Sequence, residues 1–323
     1  MLQNINTLAD PRQWNWKSRL LAIGACVLAT AVGTGDYVWN QFDHAGDINI
    51  QYPIQKQNGI LLGPPNAVGW NMENKVSGLI SELRQLDAEA NPSAIVIQEG
   101  NVRSANALRW VFQDHYITSI ITDAKRNVEG GGQALLIITK NKPRDIRKIV
   151  FDGPSYAGTL ANVAQGFGKD FVATAMASPS IKNMQEGIRE SRVTVAFTMT
   201  AQLGGEVQDV RYITGHVTPL EADRESQVNA DVEFIKQDMK SGLPTVVCMD
   251  WNTDPGGVVP KLDAIGLITQ RTTKTSIHGR TIDFCSYSRV GFDSLKSVSV
   301  RTKNMKGSDH FPLEIVFGDR AID

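Results

Sequence analysis

Three apolar runs in this chain end in polar clusters, and a fourth is preceded by one. Residues 94–97 lead to Gln98-Glu99, residues 210–214 to Gly215-His216, and residues 245–249 to Asp250-Trp251-Asn252. Further on, Gly307-Ser308-Asp309-His310 opens onto the apolar run 313–317. Short β-branched runs without polar alternation are strands buried on both faces. Strands of that kind, laid side by side, bring the side chains at their ends to one rim of a sheet. Here the rim collects Glu, His, Asp, Asn and His, groups that move protons and bind hard cations.

The remaining patterning supplies the sheets. Strands are expected at 67–71, 94–97, 134–139, 193–200, 210–214, 245–249, 298–300 and 313–317, with one more at 48–54. Residues 193–200 and 210–214 pair across a Gly204-Gly205 turn. Helical spacing of apolar positions runs through 76–90 (Val76, Leu79, Ile80, Leu83, Leu86), 105–112 and 223–239 (Val228, Val232, Ile235, Met239). Paired strands with helices between them predict two packed sheets flanked by helices. Residues 152–186, rich in Gly, Ala and Ser, read as a short helix and a long loop. No repeat or low-complexity tract is present.

At 323 residues, 41% hydrophobic and 21% charged, the chain can bury a large core. A net charge of -1 gives no global pull toward nucleic acid or membrane. Between 267 and 308, however, eight cations face only Asp283 and Asp293, interleaved with Tyr287 and Phe292. That stretch suits a polyanionic substrate, and a solvated loop surface explains it equally well. The three cysteines lack CxxC spacing, which argues against a disulfide scaffold or structural zinc. Cys248 and Cys285 read as buried thiols, or as one disulfide if the chain is exported.

Residues 20–35 are uncharged and mostly apolar, with Arg12, Lys17 and Arg19 before them and Asp36, Asp43 and Asp47 after. This asymmetry puts residues 1–19 in the cytoplasm and the bulk of the chain across a membrane. A helix from Lys17 to Val38 spans roughly 33 Å, about one bilayer core. Trp14, Trp16, Tyr37 and Trp39 bracket it as interfacial anchors, whereas Ala29-Thr30-Ala31 fits a cleaved signal peptide. A buried soluble helix fits the charged flanks least. We favour a signal-anchor at 20–38, a linker at 39–59 and a catalytic domain at 60–323. The expected localisation is membrane-anchored with that domain on the non-cytoplasmic side, or secreted or periplasmic after cleavage.

Each cluster has a chemical and a structural reading. Glu99 at a strand end can hold Mg²⁺ or serve as a helix cap. Asp250 and Asn252, spaced i and i+2, share one face of an extended backbone, or form an Asx turn before Asp254-Pro255-Gly256-Gly257. His216 and His310 are each structural residues when taken singly. Two histidines at strand ends beside carboxylates favour acid–base work. Asp283, inside the basic stretch, can orient one imidazole. His44, His115 and His278 have no motif context. Walker, GxGxxG, HExxH and GxSxG patterns are absent, which removes support for those reaction classes.

The ordered series Asn71 (in Gly-Trp-Asn-Met), Gln98-Glu99, Gly215-His216, Asp250-Trp251-Asn252, Ile282-Asp283 and Ser308-Asp309-His310 resembles the endonuclease/exonuclease/phosphatase superfamily. It covers residues 67–317 and is most similar to the deoxyribonuclease I and cytolethal distending toxin branch. Arg189-Glu190-Ser191 resembles the Arg-Glu-Pro strand entry of that branch, and Asn252-Thr253-Asp254-Pro255 the toxin's Asn-Arg-Asp-Pro. The resemblance implies an α+β, four-layer α/β/β/α sandwich of two mixed sheets, here preceded by one hydrophobic helix. It implies a metal-dependent hydrolase, with Glu99, Asn71 and Asp309 on Mg²⁺ or Mn²⁺ and Asp250 positioning water. Asn252, Asn71 and Arg189 would hold the phosphate, while His216 and His310 act in acid–base and electrostatic roles with Asp283 orienting His310. Met249 and Trp251 depart from the family's usual Gly and Phe. The family's glutamate partner for the first histidine has no clear counterpart, since Glu129 is displaced and Gln133 is neutral. The expected substrate is DNA and the expected activity endonucleolytic. A phospholipid or phosphoinositide phosphoesterase of the same fold is the alternative, and a non-catalytic binding module a third.

Overall fold

The computed structural model describes residues 46–55, 59–73, 75–123, 133–151, 192–203, 205–219, 221–270, 274–292, 297–302 and 307–318. The apolar run at 20–38, the segment 152–186, His44, Glu129 and Arg189 therefore lie outside the described residues. Among the described residues no helix is long and apolar enough to cross a membrane.

The strands are β1 Ile48–Gln51, β2 Ala67–Asn71, β3 Ala94–Asn101, β4 Tyr116–Asp123, β5 Gln133–Thr139, β6 Arg144–Phe151 and β7 Arg192–Leu203. They continue as β8 Glu206–Gly215, β9 Thr245–Asp250, β10 Leu267–Thr269, β11 Asp283–Ser288, β12 Ser297–Thr302 and β13 Leu313–Gly318. The helices are α1 Ile80–Ala90, α2 Val102–Val111, α3 Glu221–Asp238 and α4 Pro255–Ala264. One sheet has seven strands in the order β1-β4-β5-β3-β2-β13-β12, and the other has six in the order β10-β11-β9-β8-β7-β6. Both are mixed: β2–β3 and β8–β9 are parallel, and the other pairs are antiparallel.

Strand period explains the layering. In β9, Val246 and Cys248 point into the core shared by both sheets, while Val247 and Met249 point outward. The outward set packs with Val228 and Ile235 of α3 and with Val258 and Leu262 of α4. In β5, Leu135 and Ile137 face the shared core, and Ala134, Leu136 and Ile138 face Leu83, Leu86 and Leu108 of α1 and α2. The result is the four-layer α/β/β/α sandwich. A buried two-pronged Arg211–Asp238 ion pair, with Nη2–Oδ1 at 2.8 Å, fastens the end of α3 to β8.

Several elements differ from the sequence expectation. The helix expected at 76–90 is a 3₁₀ turn at Val76–Gly78 followed by α1. Strand β6 (RDIRKIVF) is too charged to read as a buried strand and lies at a sheet edge. Helix α4 contains Gly256, Gly257 and Pro260, which conceal its pattern. Cys248 and Cys285 are not free thiols: they form a disulfide between directly paired residues of β9 and β11, with Cα atoms 4.2 Å apart.

Candidate active site

Strands β2, β3, β8 and β9 all point one way, so Asn71, Glu99, His216 and Asp250 arrive at one rim. Strands β11 and β13 run opposite to β9 and β2, which delivers Asp283 and the 307–310 turn to the same place. The rim also carries its backbone strain. Glu99 (φ 52°) and Asn252 (φ 48°) sit in the left-handed region, rare for non-glycine residues and common at functional sites. Glu99 occupies a register shift between Ile97 and Gly100 against β5, a bulge that re-aims its side chain. Two glycines are required by close approach. A Cβ on Gly215 would lie 2.3 Å from Thr194 Oγ1, and one on Gly307 (φ 121°) would lie 2.2 Å from Leu79 Cδ2.

Asp250 is the centre of the cluster. Its Oδ2 accepts from Asn71 Nδ2 at 2.9 Å, and its Oδ1 accepts from the Asn252 amide at 2.9 Å. The His310 and His216 rings stand 3.8 Å and 3.5 Å from Oδ2. Burial and the neighbouring Asp283 charge raise its pKa to about 6, against the opposing pull of His310 and the two donors. Asp283 sits directly across from Asp250 and accepts from His310 Nδ1, 3.1 Å from Oδ1 and 2.9 Å from Oδ2. Burial works against the charged form of His310. The Asp283 hydrogen bond and the charges of Asp283, Asp250 and Asp309 outweigh it and raise the pKa to about 10. His310 is therefore an imidazolium at neutral pH. Its turn is fixed by Trp70 Nε1 donating to the His310 carbonyl and Ser308 Oγ donating to the Asn71 carbonyl.

His216 stands differently. Its Nε2 lies 2.9 Å from Asn252 Nδ2 and 3.5 Å from Glu99 Oε1, and its Nδ1 lies 3.0 Å from Arg192 Nη1. Among the described residues, the side chain at Nδ1 is thus the buried guanidinium of Arg192, at the first position of β7. The signal was available: Arg192 is a polar residue at the mouth of an apolar run, like the others. Gln227 of α3 clamps the following turn, donating to the His216 carbonyl and accepting from the Thr218 amide.

Asp250, Asp283 and His310 each place a ligand atom within 4.8 Å of the others, a spacing open to a metal. A charged His310 already held by Asp283 makes a poor ligand, so the carboxylates on the other side fit a cation better. There Asp309 Oδ1 is buried and makes no hydrogen bond, lying 3.7 Å from His310 Nε2. Burial raises the Asp309 pKa, Glu73 and Glu99 raise it further, and His310 opposes. Crowded carboxylates with a buried oxygen that accepts no hydrogen bond fit a hard divalent cation. Of the basic stretch, exposed Arg280 reaches the rim, its Nη2 3.5 Å from the Asn252 carbonyl, while Arg289 follows β11 at the opposite end. His115 is buried against Asp114 and Asp87, away from the rim.

The sequence model described as "Endonuclease/Exonuclease/phosphatase family" matches residues 62–310. The chain belongs to this family. Members of the endonuclease/exonuclease/phosphatase family are hydrolases of phosphoester bonds. Among curated proteins no sequence match is found. The fold is similar to that of the human Nocturnin catalytic domain with bound sulfate anion. The TM-score is 0.52 at 14% identity, covering 84% of this chain and 97% of that one. A 3′-5′ exonuclease from Neisseria meningitidis gives a TM-score of 0.53 at 16% identity, covering 78% and 99%. A mannosyl-6-phosphatase from Bacteroides thetaiotaomicron gives 0.50 at 13%, covering 78% and 98%. At these identities the likeness is one of fold alone.

Proposed function

We propose that the chain is a Mg²⁺-dependent phosphodiesterase, exported or membrane-anchored, that cleaves DNA endonucleolytically. The observation that carries this reading is the buried Asp283–His310 pair beside Asp250, which sets a charged acid next to a carboxylate with a pKa raised to about 6. Two titratable groups pushed apart in this way are suited to acid and base roles at neutral pH.

Asp250, held by Asn71 and the Asn252 amide, takes the proton of a water aligned with the phosphorus. The imidazolium of His310, oriented by Asp283, gives its proton to the departing oxygen as the P–O bond breaks. Asn252 and His216 bind phosphoryl oxygens, with Arg192 fixing the His216 ring. Glu99 and Asp309, with Asn71 assisting, would hold the divalent cation, which neutralises charge on the phosphate when bound. Arg189 remains a proposed phosphate contact from sequence. Arg280 at the rim and the exonuclease among the structural neighbours support nucleic acid as the substrate. The buried disulfide supports an oxidising compartment for the domain spanning 60–323.

The test is incubation with supercoiled plasmid and Mg²⁺, alongside phosphoinositide and sphingomyelin substrates. Nicking that EDTA and His310→Ala abolish is expected. Phosphate or headgroup release without nicking would transfer the assignment to a lipid phosphoesterase, and inactivity on all substrates would leave a binding module.

A further inference from the structure

The catalytic carboxylates stand on a layer of the core that the chemistry of the rim leaves unused. Asp250, Asp283 and Asn71 each lie two residues along a strand from Cys248, Cys285 and Gly69. Residues two apart on a strand share a face, so the second trio forms the floor of the first. Cys248 and Cys285 belong to the core between the two sheets, and Asp250 and Asp283 are buried above them.

The floor holds two close approaches. Within the six-stranded sheet, Cys248 and Cys285 are directly paired, with Cα atoms 4.2 Å apart and a bond between their sulfurs. Between the sheets, a Cβ on Gly69 would lie 3.3 Å from Cys248 Cβ, so β2 and β9 meet there with no side chain on the β2 side. Each approach is repeated one layer up by a contact of the site. Asp283 stands directly across from Asp250, and Asn71 Nδ2 donates to Asp250 Oδ2 at 2.9 Å.

The upper layer needs that support. Asp250 ends β9 and Asp283 begins β11, so the two carboxylates face each other where the ladder stops. Like charges directly opposed across a ladder push their strands apart. Between these two strands the described backbone adds one bond beyond the pair, from the Trp251 amide to the Ile282 carbonyl at 2.9 Å. A sulfur–sulfur bond at the nearest pair on the same face is a covalent clamp against opening. Two unbonded thiols need more room than a bonded pair. Against Gly69, that room comes from spreading β9 away from β11 or from β2.

We propose that Cys248 and Cys285 are a positioning pair: their bond fixes the Asp250–Asp283 register and the Asn71 approach, and without it the chain folds with its carboxylates misplaced. The two residues are only 3% and 0% exposed, so the bond forms before the sheets close over it. Forming it takes two protons and two electrons from the thiols and passes them to an external disulfide, which leaves as two thiols. The chain therefore becomes competent where it folds in an oxidising compartment, and stays latent where its thiols are kept reduced. The inference rests on the phosphodiesterase reading of the rim.

The experiment compares the full chain oxidised, the same chain refolded in dithiothreitol, and Cys248→Ala/Cys285→Val, which fills the space without a bond. Circular dichroism reads the fold, and single-turnover nicking of supercoiled plasmid reads the chemistry. Proton NMR reads the downfield resonance of the His310 Nδ1 proton held by Asp283. All forms are expected to fold, with the resonance shifted or lost in both bond-free forms. Nicking by those forms should fall ~10²-fold, as for a misplacement of about 1 Å. Refolding the reduced chain with an oxidant should restore both readings. An unchanged resonance or undiminished nicking in folded bond-free forms would overturn the inference. Loss of the fold in both would also overturn it, leaving the bond a staple of the fold alone. No nicking by the oxidised chain, with the resonance still moved by loss of the bond, would fault only the phosphodiesterase reading.

Discussion

Asp283→Asn keeps the shape of the residue beneath His310 and removes its charge. In the native site the His310 pKa is raised to about 10, so at pH 7.5 well over ~99% of the rings are charged. The substitution deletes the two largest favourable contributions and leaves the charges of Asp250 and Asp309 against burial, so the His310 pKa falls from about 10. Were it to fall to the ordinary 6.5, roughly one ring in ten would be charged at pH 7.5. The rate at that pH should therefore fall by up to ~10-fold from protonation, and further from lost orientation. The sign is fixed. A raised imidazole pKa keeps the acid charged until pH passes about 10, so the variant's high-pH limb moves down. The low-pH limb, set by Asp250 with its pKa of about 6, should also move down because Asp283 repulsion is gone. The assay is kcat/KM against a simple phosphodiester from pH 5 to 10, with circular dichroism confirming the fold. A variant profile parallel to the native one, with the same alkaline limb, would refute His310 as the acid.

Other outcomes follow from the surrounding structure. Asp231 in α3 is fully buried facing Thr194 and Gln227, and burial raises its pKa to about 7. A folded pKa above the unfolded one gives stability that is present below about pH 4 and lost as pH rises through 7. Asp231→Asn should therefore stabilise at pH 8, on the order of 2–4 kcal/mol, and barely at pH 4, as read by urea unfolding. Replacing Cys248 and Cys285 together by Ala opens a loop with a sequence separation of 37, and should cost about 3–4 kcal/mol in the same assay. Gly215→Ala sets a methyl 2.3 Å from Thr194 Oγ1. It should cost about 1–3 kcal/mol and shift His216, lowering nicking by more than the loss of folded protein explains.

Much of the rim was legible because chemistry and packing coincide there. Glu99, His216, Asp250 and His310 interrupt apolar runs, and a polar residue at the end of a buried strand is visible without knowing its neighbours. The Asp283–His310 contact links residues on β11 and the 307–310 turn, and Asp283 lay in a stretch whose charge was more conspicuous than its strand pattern. Arg192 was overshadowed by the Arg189 motif just before it. Strands β6 and β11 and helix α4 were hidden for distinct reasons: an edge strand tolerates charge, β11 buries small polar side chains, and α4 is held by tertiary packing despite Gly and Pro.

The central claim is that Asp250 activates the attacking water at a divalent-metal site on this rim. The most direct measurement is the single-turnover rate of first-strand nicking of supercoiled plasmid at saturating Mg²⁺ by the native chain and by Asp250→Asn. The expected result is a loss of ~10²–10⁴-fold, the usual worth of a positioned general base, with the folded fraction unchanged. Equal rates would contradict the assignment of the chemistry to this cluster.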